Sequence, residues 1–542
     1  MKIHYFVKNN YWLIIAVLLS FLLIVLWFAS LSEIELQTFF SSDALYLPSI
    51  YQDIFVDGNS FEGWTLNPAP NFFPDMLFFF ILMGITCNFV ISAFLFSIIQ
   101  YFVIIFLFYA IFRKISSISP SVFALTLYLF SFFLFIFLTN NDDFYYSFLI
   151  LSNSYHNGMF VMSLTCLLLT LVFLKKESWT ALIAIFLLSA ISYPSDKLFL
   201  IVYTCPILFT CIVLLIGKYN KKKTIKLIIT CISGILLGMV ISNQFAHNPV
   251  FNINQHHHNF DIDSIITSWT VFFDQMKSFL LGFSFKSLII IFSMISYIWT
   301  IYYCTSQFVK IKQGKNAISL LFIFEVFVLF FVPIVLLTPI LDGNYFNGGV
   351  IRYNYFVFIV LLFNFVLQTI HFFEEKRYIL IGVNCFCSIA ISMYLIWSIH
   401  TKDFISGLQN YFTFYSEYAR NLDAQFQDNS TPVYGITNDY WYGKHATMFS
   451  KNEVRLYTIS SNATPPFYVN NQNWFYGSNN SKYGNPEFTF LLWHKNESLP
   501  VFFTEQNPPY ESRMIDKYRI LYFVQPFRFD KETKQPKLLG KE

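Results

Sequence analysis

"MLFFFILMGITCN", residues 76–88, is the run on which the topology turns. It is apolar throughout, yet shorter than the ~20 residues a helix needs to cross a bilayer core. Counted as a span, it would put every later cluster of Lys and Arg on the wrong side. Counted as an interfacial or re-entrant helix, it leaves an unbroken alternation. Lys2 and Lys8, Arg113 and Lys114, Lys175 and Lys176, Lys218 with Lys221, Lys222, Lys223 and Lys226, Lys310, Lys312 and Lys315, and Lys376 with Arg377 then share one side. The positive-inside bias makes that side cytoplasmic. The opposite connections hold only Lys197, Lys277 and Arg352.

Eleven spans are predicted, near residues 11–31, 89–112, 121–138, 159–174, 178–193, 198–217, 227–245, 284–306, 317–338, 354–373 and 378–399. The N-terminus is expected inside and the C-terminus outside. Composition agrees: the chain is 56% hydrophobic and 12% charged, about half the charge of a soluble domain. The net charge of +3 gives no reason to invoke nucleic acid. All eight cysteines lie in or beside apolar runs, so neither a disulfide framework nor a cysteine zinc site is indicated in the polar part. The first run is too long for a signal-peptide core and no small-residue cleavage site follows it, so it reads as a retained anchor.

From residue 401 the composition turns polar, with short segments such as "EVRLYTI" (453–459), "EFTFLLW" (487–493) and "YRILYFV" (518–524) between Asn, Pro and Gly turns. Alternating apolar residues there predict strands, behind a lead-in helix over 404–422. The expected fold class is therefore an all-α polytopic membrane bundle, residues 1–400, with a small mixed α/β C-terminal extracytoplasmic domain, residues 401–542.

Sorting the loops by side separates chemistry from scaffold. The inward loops are short and basic; the outward ones hold nearly every reactive candidate. In the first outward loop, Asp43 follows the first span closely, and a carboxylate at an apolar rim can act as a general base. Its bland alternative is a helix cap. Asp75 in "NFFPDM" reads chiefly as a cap, with catalysis as the alternate; Asp53 and Asp57 read as solvated loop acids. Trp64, with Pro68 and Pro70, offers an apolar wall for a sugar or lipid, or an interfacial anchor.

His156, directly before a span, is a second acid/base candidate or a structural histidine. Asp196 and Lys197 in "YPSDK" suggest an ion pair, with Lys197 also placed to meet a lipid phosphate. Arg352 is the lone outward arginine of the membrane half, suited to bidentate phosphate binding. Glu325 sits inside the ninth run, where an acid is a functional candidate unless polar neighbours satisfy it. The triple histidine 256–258 with Asp261 and Asp263 lacks the spacing of a metal site. In the tail, "NDYWYGKH" (438–445) and "NNQNWFYG" (470–477) combine aromatic faces with amides and acids, so Asp439, Trp441 and Trp474 are candidates for acceptor binding or for core packing. Sequons fall at Asn429, Asn462, Asn479 and Asn496.

The order of these elements resembles the GT-C superfamily of polyprenyl-phosphate-sugar-dependent membrane glycosyltransferases. The match is a first span, an acid soon after it (Asp43 in "SSDALY"), an interfacial helix at 76–88, a helical array and an outer C-terminal domain. The resemblance implies a periplasm-facing glycosyltransferase of a bacterial inner membrane, with Asp43 activating the acceptor and Arg352, with Lys197, holding the lipid phosphate. Its partners would be a polyprenyl-phosphate-linked sugar donor, a glycan or lipid acceptor and the bilayer. No cofactor is expected, and a divalent metal lacks ligand spacing. Two departures are plain: Asp43 is followed by Ala44 where several branches carry a paired Asp-Glu, and the oligosaccharyltransferase W-W-D motif is absent from the tail. The rival readings are an O-antigen polymerase or ligase, which joins preassembled glycans, a transporter or flippase, and a non-catalytic scaffold.

Overall fold

The computed structural model describes residues 2–115, 146–153, 155–248, 250–254, 261–281, 285–346, 348–373, 377–401, 403–426, 432–465, 469–477, 484–515 and 517–539. The chain opens with α1 (Lys2–Ser30). The first loop then holds α2 (Glu33–Phe39), α3 (Tyr46–Tyr51), a π-helical turn (Gln52–Val56), β1 (Trp64–Leu66) and a second π-helical turn (Phe72–Met76) that runs into α4 (Leu77–Thr86). The bundle continues through α5 (Phe89–Ile115), α6 (Tyr146–Leu151), α7 (Asn157–Lys176) and α8 (Trp179–Ser195). A π-helical turn (Leu200–Thr204) leads into α9 (Cys205–Ile216), followed by α10 (Lys221–Ala246), β2 (Phe251–Ile253) and α11 (Ile262–Leu281). Then come α12 (Phe285–Lys312), α13 (Leu320–Leu341), a 3-10 turn (Gly348–Tyr353), α14 (Tyr355–Phe373) and α15 (Arg377–Thr401).

Ten of the eleven predicted spans fall on these helices; the one at 121–138 lies outside the described residues, as do His256, His257, His258, Asn429 and Asn479. Seven of the described helices are long and apolar enough to cross a membrane, and four more apolar helices are shorter. The chain is a multi-pass membrane protein.

The deciding run forms a helix of its own. Its ten residues, α4, cover about 15 Å, half a hydrocarbon core. Leu77, Ile81 and Ile85 are exposed along one side, while Phe79, Leu82 and Met83 are buried on the other. Cys87, in the left-handed region at φ 51°, stops the helix. Asn88 Oδ1 then accepts the N–H groups of Val90 and Ile91 at 2.9 and 3.1 Å and starts α5. The helix α11 is not anticipated by run length, because Asp263, Thr267, Asp274 and Lys277 interrupt its apolar residues.

Two devices knit the bundle. On α10, Gly234 and Gly238 lie against α8: a Cβ at either would come within 2.8 Å of Ser189 Cβ or Tyr193 Cβ, the close approach that small-xxx-small spacing permits. Between α12, α13 and α14, Glu325 Oε2 accepts from Thr300 Oγ1 at 2.7 Å, Asn364 Nδ2 at 3.1 Å and Gln368 Nε2 at 3.4 Å. The acid is a brace, satisfied by neighbours on two helices. Glu325→Ala removes the acceptor of Thr300 and one of the acceptors of Asn364 and Gln368 and is expected to cost about 2–4 kcal/mol, whereas Glu325→Gln, which keeps an acceptor oxygen, should cost far less. Thermal unfolding in detergent checks the ranking.

The tail begins with α16 (Phe404–Phe412) and α17 (Glu417–Asp423). A βαβ unit follows: β3 (Val433–Thr437), α18 (Tyr440–Phe449) and β4 (Val454–Thr458), with β3 and β4 parallel. Then come β5 (Asn470–Asn471), α19 (Asn473–Tyr476), β6 (Phe488–His494), β7 (Glu511–Ile515), β8 (Tyr518–Phe529) and β9 (Pro536–Leu538). The main sheet runs β4-β3-β6-β8-β7, with β9 on β8. The three predicted strands are β4, β6 and β8. A second sheet, β2-β1-β5, joins the first loop to the α10–α11 connection and to the tail.

Candidate active site

Asp43 lies in the turn between α2 and α3. A capping box starts α2: Ser32 Oγ accepts from Glu35 N at 3.3 Å and Glu35 Oε2 from Ser32 N at 2.7 Å. After Phe40 the chain turns instead of continuing the helix, and Ser42 Oγ donates to the Tyr440 carbonyl at 2.9 Å, pinning the turn to α18. Asp43 caps nothing, for α3 has no side-chain cap. Its Oδ2 faces Arg352 Nη1 at 3.2 Å, with the two side chains 19% and 38% exposed. Its Oδ1 faces the Tyr440 hydroxyl at 3.5 Å. Arg352 rides on the 3-10 turn before α14, its guanidinium 5.2 Å from the Tyr353 ring centre. The segment carrying it is anchored where Tyr345 N donates to Ser268 Oγ of α11 at 3.0 Å. Tyr155, bonded to Ser41 Oγ at 2.9 Å, borders the pair; burial, with Asp43's charge, pushes its phenol up to about 12.

A second group adjoins the first. His156 enters α7, its Nδ1 2.5 Å from Asp196 Oδ2 and its ring centre 5.1 Å from that of Tyr353. Asp196 Oδ1 accepts from Leu198 N at 2.9 Å. Asp196 thus contacts His156 in place of the ion pair expected with Lys197, and Lys197 is exposed on the same turn. Asp75 is buried inside its π-helical turn and accepts the Gly158 N–H, where a cap was expected. Burial, then the Asp196 charge, pushes its carboxyl up to about 8. The folded state therefore holds this proton more tightly than the unfolded chain, a contribution present at low pH and lost as pH rises through about 8. The unfolding midpoint should fall between about pH 4 and about pH 8, and Asp75→Asn should flatten that slope.

The acids taken as solvated are buried. Asp53 is 2% exposed and accepts four side-chain donors: Asn59 Nδ2 at 2.7 Å, Trp64 Nε1 at 2.7 Å, Asn471 Nδ2 at 2.7 Å and Trp474 Nε1 at 2.5 Å. Asp57 pairs with Arg455 of β4 at 3.1 Å, both buried. The reason is β5 and α19, which cover this stretch of the first loop. Trp64 is fully buried and Trp474 stacks on Tyr457 at 5.1 Å, so neither is an open platform for a sugar. Asp439 caps α18, its Oδ1 taking Trp441 N at 2.8 Å and Tyr442 N at 3.0 Å, while its Oδ2 takes the Tyr518 hydroxyl. Of the four acceptor candidates, Trp441 is the exposed one, at 51%. Among the described residues no group of three or more His, Cys, Asp or Glu is arranged to hold a metal.

No protein-family model and no curated protein matches the chain. Among solved structures it is similar to ArnT from Cupriavidus metallidurans bound to undecaprenyl phosphate, at 13% identity and a TM-score of 0.39 over 94% of this chain and 97% of that one.

Two residues of the site escaped the sequence reading. Tyr440 and Lys444 come from α18, and Lys444 Nζ lies 3.3 Å from the Tyr440 hydroxyl. Their i, i+4 spacing within "NDYWYGKH" puts them on one helix face once that segment is recognised as a helix.

Proposed function

We propose that this protein is a membrane glycosyltransferase that moves a sugar from a polyprenyl-phosphate donor to a cell-envelope glycan or lipid, on the periplasmic side of a bacterial inner membrane. The observation that carries the reading is the Asp43–Arg352 pair, half-open to solvent where the end of the bundle meets the tail. A lone guanidinium at a helix mouth suits a phosphate monoester or diester anchored in lipid. When such a phosphate engages Arg352, Asp43 is released from the ion pair. It then takes the proton of an acceptor hydroxyl as that oxygen attacks the anomeric carbon and polyprenyl phosphate departs. Trp441, exposed beside the turn, supplies a face for the acceptor.

The test is transfer by the purified full chain in nanodiscs, supplied with a panel of polyprenyl-phosphate sugars and envelope glycans. Glycosylated acceptor and released polyprenyl phosphate are expected, and Arg352→Gln should raise the donor KM by about 10-fold or more, the worth of one charge-assisted contact. A chain that turns over none of these donors and binds no polyprenyl phosphate overturns the reading.

A further inference from the structure

The acceptor's proton needs a destination once donor and acceptor fill the space beside Asp43. Arg352 faces Oδ2, which leaves Oδ1 turned to Tyr440 at 3.5 Å, and Tyr440 in turn meets Lys444 Nζ at 3.3 Å. Lys444 is 5% exposed, with its nitrogen 4.8 Å from the Tyr440 ring centre and 5.9 Å from that of Tyr46. Lys444 also lines a cavity of about 20 Å³, room for one water. Ser49, Gln52, Asp57, Thr447 and Arg455 line that cavity together with Lys444.

We propose that Tyr440 and Lys444 form a proton relay that carries the acceptor's proton from Asp43 into this cavity, on the far side from the substrates. The proposal rests on the transferase reading. The acceptor O–H proton passes to Asp43 Oδ1 as the new C–O bond forms and the bond to phosphate breaks. Asp43 then hands a proton to the Tyr440 oxygen while the Tyr440 hydroxyl proton moves to the neutral amine of Lys444. The result is an ammonium, a restored hydroxyl and a restored carboxylate. The ammonium then releases its proton to water in the cavity. Burial holds Lys444 down to about 7, with Asp43 opposing, so both of its forms are accessible near neutrality. The charged and titratable groups around it are Asp43, Tyr46 and Tyr440 on one side, and Asp53, Asp57, Arg455 and Tyr457 around the cavity.

Two readouts on the full chain in nanodiscs test this. The first needs no turnover: the Lys444 titration, followed by NMR after reductive 13C-methylation, should have a midpoint near 7 in the wild type. It should move down in Asp43→Asn, because the carboxylate that favours the ammonium is gone. A midpoint in the ordinary lysine range near about 10.4, or one indifferent to Asp43→Asn, overturns the relay. The second is the pH profile of transfer. Tyr440→Phe and Lys444→Met should each lower kcat by about 10-fold or more with donor KM unchanged, and Lys444→Met should lose the limb near neutrality. Wild-type kcat and profile in both variants overturn the relay and leave the transferase reading intact. An inert wild type whose Lys444 still titrates in concert with Asp43 removes the transferase and keeps the proton couple.

Discussion

Asp43→Asn is expected to lower sugar transfer by about 100- to 10,000-fold, the usual worth of a positioned general base. The substitution is nearly isosteric, and Asp43 is partly exposed and caps no helix, so the protein should fold and still bind lipid phosphate. Arg352 makes the result informative. With the carboxylate gone the guanidinium is no longer engaged, and donor affinity should rise or hold while kcat falls. A drop in kcat at constant or lower KM is the signature of a group that acts on the reacting atoms. Full transfer by Asp43→Asn would remove Asp43 from the chemistry.

The largest structural loss should follow Asp53→Ala. Two indoles and two amides would lose this acceptor, Asn471 keeping the Ser60 carbonyl at 3.1 Å, and each buried donor left unpaired costs about 1–3 kcal/mol. The sum, on the order of 4 kcal/mol or more, falls on the seam between first loop and tail. Asp53→Asn should lie between, because only one of its two terminal atoms can accept. Limited proteolysis of the tail and thermal unfolding would show the order wild type, Asn, Ala. Burial outweighs the four donated bonds and raises this carboxyl to about 6. Its folded pKa is above the unfolded value, so its contribution is complete in acid and is lost as pH rises through about 6. The seam should be tightest in mild acid. Equal proteolysis of Asp53→Ala and wild type would mean that the Asp57–Arg455 pair and the β1–β5 pairing hold it unaided.

Run length and charge carried most of the fold that could be read from the sequence. The spanning helices, the short α4 and the strands β4, β6 and β8 were readable because apolar period and Lys/Arg placement act locally. Asp43 and Arg352 stood out separately, one as an acid just past a span and the other as an isolated cation. That they touch was not readable, since 309 residues separate them. Asp53 and Asp57 were misjudged because a polar loop looks solvated until the segment that covers it is known. In this chain the cover is Asn471, Trp474 and Arg455, all in the tail. Asp75 and Asp196 were misassigned for the same reason: Gly158 and His156, their partners, sit at the start of another helix. Tyr440 and Lys444 carried a readable helical spacing inside a string whose aromatics suggested carbohydrate stacking.

The sheet β2-β1-β5 also fixes when the protein becomes complete. Strand β1 emerges early in synthesis, β2 midway and β5 late, so the first loop waits for most of the chain before its edges are paired. A nascent chain that ends before Val433 already holds Asp43 and Arg352, yet has neither Tyr440 nor the Asn471 and Trp474 donors that seat Asp53. The reactive corner is therefore closed by the last quarter of translation, and a stalled or clipped product carries its two charged residues in an unfinished frame.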